Sequence, residues 1–115
     1  METLAKQSAS DVTVCLKAVS DSTRLLMMKL VESNELCVCQ FVEMFDMSQP
    51  AISQHLRKLK HAGLVKENRR GQWRFYSMNK DSVHAPLVHD ILSHIEDSDP
   101  QLVALRAKEA PVDCC

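Results

Sequence analysis

Ser48-Gln49-Pro50-Ala51-Ile52-Ser53-Gln54-His55-Leu56-Arg57-Lys58-Leu59-Lys60-His61, then Ala62-Gly63, then Leu64-Val65-Lys66-Glu67-Asn68-Arg69-Arg70-Gly71-Gln72-Trp73-Arg74-Phe75-Tyr76-Ser77-Met78, is the stretch that decides the fold. Ser48 has the side chain of a helix cap, and Pro50 is tolerated in a first turn. Ile52, Leu56 and Leu59 recur at spacings of four and three, so they share a core-facing stripe. Ser53, Gln54, Arg57 and His61 then point away, with His55 nearer the core edge. Gly63 ends the helix. Leu64 to Asn68 and Gln72 to Met78 read as two strands joined around Arg69-Arg70-Gly71, a hairpin with a basic tip. Just upstream, Asn34 offers a cap for a helix from Glu35 to about Asp46, with Cys37, Val38, Phe41, Met44 and Phe45 on one face. Asp46-Met47 is the turn between the two helices.

Helix, short turn, helix and basic hairpin is the order of a winged helix-turn-helix, a mainly α fold with a β-hairpin wing. The flanks supply its scaffold. Val12, Cys15, Leu16 and Val19 form one helical stripe. Ser20-Asp21-Ser22 breaks the chain and can cap a second helix carrying Leu26, Met27, Leu30 and Val31. Val83, Leu87, Val88, Ile91, Leu92 and Ile95 form a further stripe, with Pro86 near its start and Ser98-Asp99-Pro100 at its end. The 115 residues, 45% hydrophobic, suffice for one core and not for two. Residues 1–97 are read as the DNA-binding and dimerisation domain, and 98–115 as a C-terminal extension ending in a cysteine pair. No apolar run approaches the roughly 20 residues needed to span a bilayer, and no secretory leader opens the chain, so the expected location is the cytoplasm.

The net charge of −1 conceals a division. From Ser48 to Lys80 there are eight cationic residues against the single acid Glu67, a local +7, which leaves −8 for the rest. A basic block on an acidic body is the electrostatic footprint of a surface that binds double-stranded DNA. Base edges in the major groove are read by side chains with paired donors and acceptors, which selects Gln49, Ser53, Gln54 and Arg57, with Ser48 and His55 on the same helix. Lys58, Lys60, Arg69, Arg70 and Arg74 suit phosphates or the minor groove. A single reading helix buries little DNA surface, so a homodimer is expected, joined through the stripes of the first and last long helices. Catalysis is not indicated, because there is neither a glycine-rich phosphate loop nor a Ser/His/Asp arrangement.

These segments resemble the ArsR/SmtB family of metal-sensing repressors over nearly the whole chain, from about Val14 to Ile95. Leu16 to Leu25 is similar to the family's opening, Glu35-Leu36-Cys37-Val38-Cys39 to its metal box, and Ser48 to Leu56 to its recognition helix. Gly63-Leu64-Val65 and Tyr76-Ser77-Met78 follow in the family's order. The resemblance implies a repressor released from its operator by a metal ion, and Cys37-Val38-Cys39 together with Asp113-Cys114-Cys115 is most similar to the arsenic-responsive branch. Two positions depart from family patterns. Val42 stands where some arsenic sensors carry a third cysteine. The Asp-x-His pair of the zinc-type site is missing, and His84, His89 and His94, about 140° apart successively on a helix, are read as surface residues.

Five cysteines in a reducing compartment are expected to act as thiols rather than as a disulfide framework. Positive charge at a helix N-terminus favours the thiolate, and soft sulfur ligands select As(III), Sb(III), Cd(II) or Pb(II) over calcium or magnesium. Cys37 and Cys39 are the expected inducer ligands, and As(III) or Sb(III) the expected inducer. No cofactor is required for DNA binding. Cys114 and Cys115 are candidates for a third ligand, ahead of Cys15, which lies on an apolar stripe. A regular helix turns about 200° over two residues, which sets the Cys37 and Cys39 sulfurs on nearly opposite faces, so capture of one ion by both would unwind the first turn. Response to Cd(II), Pb(II) or Zn(II), a thiol redox switch, and an architectural DNA binder whose cysteines fill the core are the alternatives.

Overall fold

The computed structural model describes residues 6–111, which form six helices and a three-stranded antiparallel sheet. The winged helix-turn-helix expected from the sequence is the fold observed. Helix α1, Ala9–Val19, begins at Ser8, whose hydroxyl accepts the Asp11 N–H at 3.1 Å. Asp21 caps α2, Ser22–Val31, by accepting the Arg24 N–H at 3.0 Å. That bond holds the Asp21 carboxyl below its usual range, because ionised oxygen is the better acceptor. The break at Ser20 is therefore a fresh start made by a capping side chain.

A two-residue strand, β1 (Leu36–Cys37), precedes α3 (Val38–Phe45). The expected helix start at Glu35 with an Asn34 cap is thus corrected. Leu36 and Cys37 pair with Tyr76 and Phe75 across the sheet, and this pairing holds both in extended backbone. The cap is Cys37 (φ −84°, ψ 155°). At the far end of α3, Asp46 adopts the left-handed conformation (φ 52°), and its N–H reaches the Val42 carbonyl at 3.0 Å. Helix α4, Gln49–His61, follows with Ser48 as its cap and Ile52, Leu56 and Leu59 at no more than 1% exposure. Each such buried side chain contributes about 1.5–3 kcal/mol of transfer free energy. Helix α4 closes in a Schellman motif, in which Leu64 N–H donates to Leu59 and Gly63 N–H to Lys60, and Gly63 takes the φ of +80° that the motif requires.

The wing is β2 (Val65–Arg70) and β3 (Trp73–Met78), in register from Val65↔Met78 to Arg70↔Trp73. Arg69 and Arg70, expected in the turn, are the last paired residues of β2. The turn is Gly71-Gln72, with Gly71 at the positive φ that tight hairpins use. Helix α5, Ala85–Ser93, starts at Pro86's turn but is shorter than the stripe to Ile95 suggested, and Val83 lies outside it and exposed. His84, expected at the surface, is buried at the cap position of α5. The C-terminal extension contains a helix that the sequence reading did not anticipate. It is α6, Pro100–Ala107, capped by Asp99, with Leu102 fully buried in the common core and the helix packed on α3.

Candidate nucleic-acid interface and cysteine site

Helix α4 presents Ser48, Gln49, Gln54, Arg57, Lys58 and Lys60 to solvent, while Ile52, Leu56 and Leu59 anchor its other side against α2 and α3. Gln54 and Arg57 are joined, the guanidinium donating to the Gln54 carbonyl oxygen at 2.8 Å. Two residues one turn apart thus present one composite donor–acceptor edge. Ser53 is half-buried and accepts from Arg74 of the wing at 3.4 Å. His55 is turned inward. Its Nδ1 lies 3.2 Å from Arg24 and 3.9 Å from Asp21, so it ties α4 to the α1–α2 junction rather than facing outward.

The cations of the wing are not equivalent. Arg70 pairs with Glu35 and lies 3.9 Å over the Phe75 ring, so it braces the end of the hairpin. Arg69 and Lys58 are exposed and enter no ion pair among the described residues. Glu67, the one acid of the basic block, sits between Lys60 (2.6 Å) and Arg74 (3.9 Å). The Lys60 hydrogen bond holds the Glu67 carboxyl below its ordinary value and raises the Lys60 ammonium above its own. This carboxylate clamps the reading helix to the wing and also offsets two charges otherwise available to phosphate. The sequence showed Glu67 only as an exception in a count.

Beneath this surface lies the cysteine box. Because Cys37 precedes the helix and is extended, the 200° rotation expected between it and Cys39 does not apply, and the two sulfurs are 3.3 Å apart. Both lie at the N-terminal end of α3, Cys37 as its cap and Cys39 within its first turn, where the helix dipole favours negative charge. Gln40, buried at 6% exposure, completes the cap. Its side-chain oxygen accepts the Cys37 N–H at 2.8 Å, and its amide nitrogen donates to the Ala110 carbonyl, also at 2.8 Å. Sequence reasoning missed Gln40, since a capping box is recognised only once the cap residue is known.

The cysteines open on a cleft of about 500 Å³ that also touches Val42 and Glu43 of α3, Gln49 at the start of the reading helix, and Gln72, Trp73 and Arg74 of the wing. Among the described residues no third His, Cys, Asp or Glu joins the two sulfurs. Val42 borders the cleft without a donor. Cys15 is fully buried, and burial pushes its thiol pKa up, which disfavours the thiolate that would bind an ion. Cys114 and Cys115 lie outside the described residues. On α5, His89 is exposed and meets Glu32 at 3.3 Å, and Asp81 is bound to Lys66 at 2.8 Å.

Comparison with known proteins agrees with the winged-helix fold. Residues 21–67 match the model of the bacterial regulatory proteins of the arsR family. The arsenical resistance operon repressor of Bacillus subtilis is 30% identical over 100 residues, covering 86% of this chain and 85% of that protein. A cadmium resistance transcriptional regulatory protein, a CadC homologue of Staphylococcus aureus, is 37% identical over 81 residues, 70% of this chain and 67% of that one. Among solved structures, HlyU from Vibrio cholerae superposes with a TM-score of 0.67 at 29% identity, covering 75% of this chain and 92% of its own. No helix among the described residues is long and apolar enough to cross a membrane. The chain therefore belongs to the arsR family of bacterial regulatory proteins, and it is a DNA-binding transcriptional repressor rather than an enzyme.

Proposed function

We propose that this repressor acts in the cytoplasm as a homodimer on operator DNA, and that it is released when As(III) or Sb(III) is captured by the thiolates of Cys37 and Cys39. The observation that carries the reading is the 3.3 Å separation of the two sulfurs at the start of α3. Two sulfurs sharing one ion at about 2.3 Å each, with a bond angle near tetrahedral, lie roughly 3.5–3.8 Å apart. The pair is thus close to a chelating geometry without unwinding the helix. The names of the arsenical and cadmium resistance relatives support a soft-ion inducer.

The third donor is proposed to come from the C-terminal thiols. The Gln40–Ala110 hydrogen bond fixes the chain beside the box four residues before Cys114, a distance that extended chain covers in at most about 14 Å. For dimerisation, Leu16 of the α1 stripe is 47% exposed, an apolar side chain unsatisfied within one protomer. Release follows from connectivity. Cys37 is hydrogen-bonded into the wing through β3, and the cleft it lines is shared with Gln49 and Arg74, so closure on an ion shifts the wing relative to the reading helix. A coupling of about 3 kcal/mol between ion and DNA lowers affinity on the order of 150-fold. A mobility-shift assay on operator DNA with As(III), Sb(III), Cd(II), Pb(II), Zn(II) and peroxide tests the reading. Release by As(III) and Sb(III) at the lowest concentrations is expected. Release by Cd(II) or Pb(II) alone would assign the other inducer, and release by peroxide alone a redox switch.

A further inference from the structure

A second basic surface adjoins α4 where α1 meets it, with no wing residue in its lining. A groove of about 450 Å³ runs between α1 and the C-terminal half of α4, lined by Lys17, Arg24, Arg57, Lys58 and His61 around a floor that includes Val14, with no acid among its lining residues. Lys17, Arg57, Lys58 and His61 are exposed. Arg24 is half-buried and plays a different part. It donates to the main-chain carbonyls of Ala18 (2.7 Å) and Lys17 (3.4 Å), fixing the end of α1 to α2, and its other nitrogen lies 3.2 Å from His55 Nδ1 of α4. The last turn of α1 is therefore held in place while its lysine side chain remains exposed.

We infer that this groove is a contact for the DNA sugar–phosphate backbone, formed by Lys17 of α1 together with Lys58 and His61 of α4, outside the reading helix's base contacts and outside the wing. The inference rests on the DNA-binding assignment and extends it to a helix that neither the basic block nor the wing includes. The geometry comes from dimensions. Gln49 to His61 spans about 18 Å of helix axis, whereas the major groove is about 12 Å wide. A helix that enters the groove by its N-terminal Gln49 and Gln54 emerges over a phosphate ridge at its C-terminal end. Arg57 belongs both to the composite edge with Gln54 and to this groove, so the two surfaces are continuous. A rim with three exposed fixed cations and no acid over an apolar floor complements polyanionic backbone, because poorly hydrated surroundings strengthen each charge–charge contact.

The test compares wild type with Lys17→Ala, Lys17→Glu and Lys58→Ala by fluorescence anisotropy across a salt series, on operator and on unrelated duplex, with sedimentation to establish the dimer fraction. Lys17→Ala is expected to weaken binding to both duplexes by a similar factor and to reduce the slope of log K against log salt by about 0.9, the value of one released phosphate contact. Charge reversal is expected to weaken binding further. Unchanged affinity and slope in both Lys17 variants would overturn the inference. So would a loss confined to the operator at constant slope, which would make Lys17 a base reader, or a loss that vanishes once the variant is fully dimeric, which would make the groove part of the protomer interface. Absence of duplex binding by the wild type would overturn the DNA-binding assignment itself, and a normal wild type beside silent variants this inference alone.

Discussion

Glu67 shows how much one side chain decides. It is the sole acid between Ser48 and Lys80, and Lys60 and Arg74 both reach it. Its folded-state pKa lies below its ordinary value of 4.5, so its stabilisation is fully present above that value and is lost as pH falls through the lower, folded one. Glu67→Gln should therefore flatten the acid limb of a stability–pH profile while raising affinity for any duplex, since Lys60 and Arg74 gain freedom to meet phosphate. Chemical denaturation between pH 3 and 7, paired with anisotropy on unrelated DNA, checks both halves. An unchanged acid limb would show that the Lys60 contact is solvated away. The cysteines illustrate the converse. Their residue types suggest soft-ion ligands, but their geometry was not legible, because a helix start at Glu35 places Cys37 inside a helix, whereas its pairing with Phe75 places it before one.

At the scale of elements, the legible parts were those whose signals are local. The cap at Ser48, the stripe of Ile52, Leu56 and Leu59, the Gly63 stop and the break at Ser20 each depend on residues within one turn of one another. β1 has only two residues, and its existence depends on Tyr76 and Phe75 nearly forty positions away, so no local pattern could announce it. Helix α6 was missed for a related reason: of its few apolar residues only Leu102 is buried, and its helicity is set by docking on α3. The wing assignment predicts an asymmetry between adjacent arginines. Arg69→Ala should weaken binding to all duplexes alike and lower the salt slope by about 0.9, whereas Arg70→Ala, freed from Glu35 and Phe75, should act mainly on wing order and change the slope less. A salt titration of both variants decides it, and equal slopes would refute the distinction. The tail carries a second prediction at this scale. Replacing Cys114 and Cys115 with Ser should reduce sulfur neighbours of bound arsenic from about three toward two by X-ray absorption and weaken arsenite binding on the order of tenfold, while induction survives at higher concentration. Unchanged coordination would place the third donor elsewhere.

For the whole molecule, the arrangement sets the proposed sensing pair and the proposed reading helix at opposite ends of the same short segment. Helix α3 begins at the cysteines and ends at Asp46, three residues before α4, and the cleft at its start is bordered by Gln49 of α4 and by the wing. Information about a captured ion therefore has little structure to cross, and the coupling needed is small compared with the stability of a domain. This makes a separable prediction: removing a sulfur should abolish the response without abolishing the grip. The decisive measurement is operator binding by wild type, Cys37→Ser and Cys39→Ser, followed by anisotropy as arsenite is added. Wild type is expected to release on the order of 100-fold in affinity, and both variants to bind operator within about threefold of wild type and to stay bound. Release of either variant at wild-type arsenite concentrations would contradict the account, because the paired sulfurs would then not be the sensor.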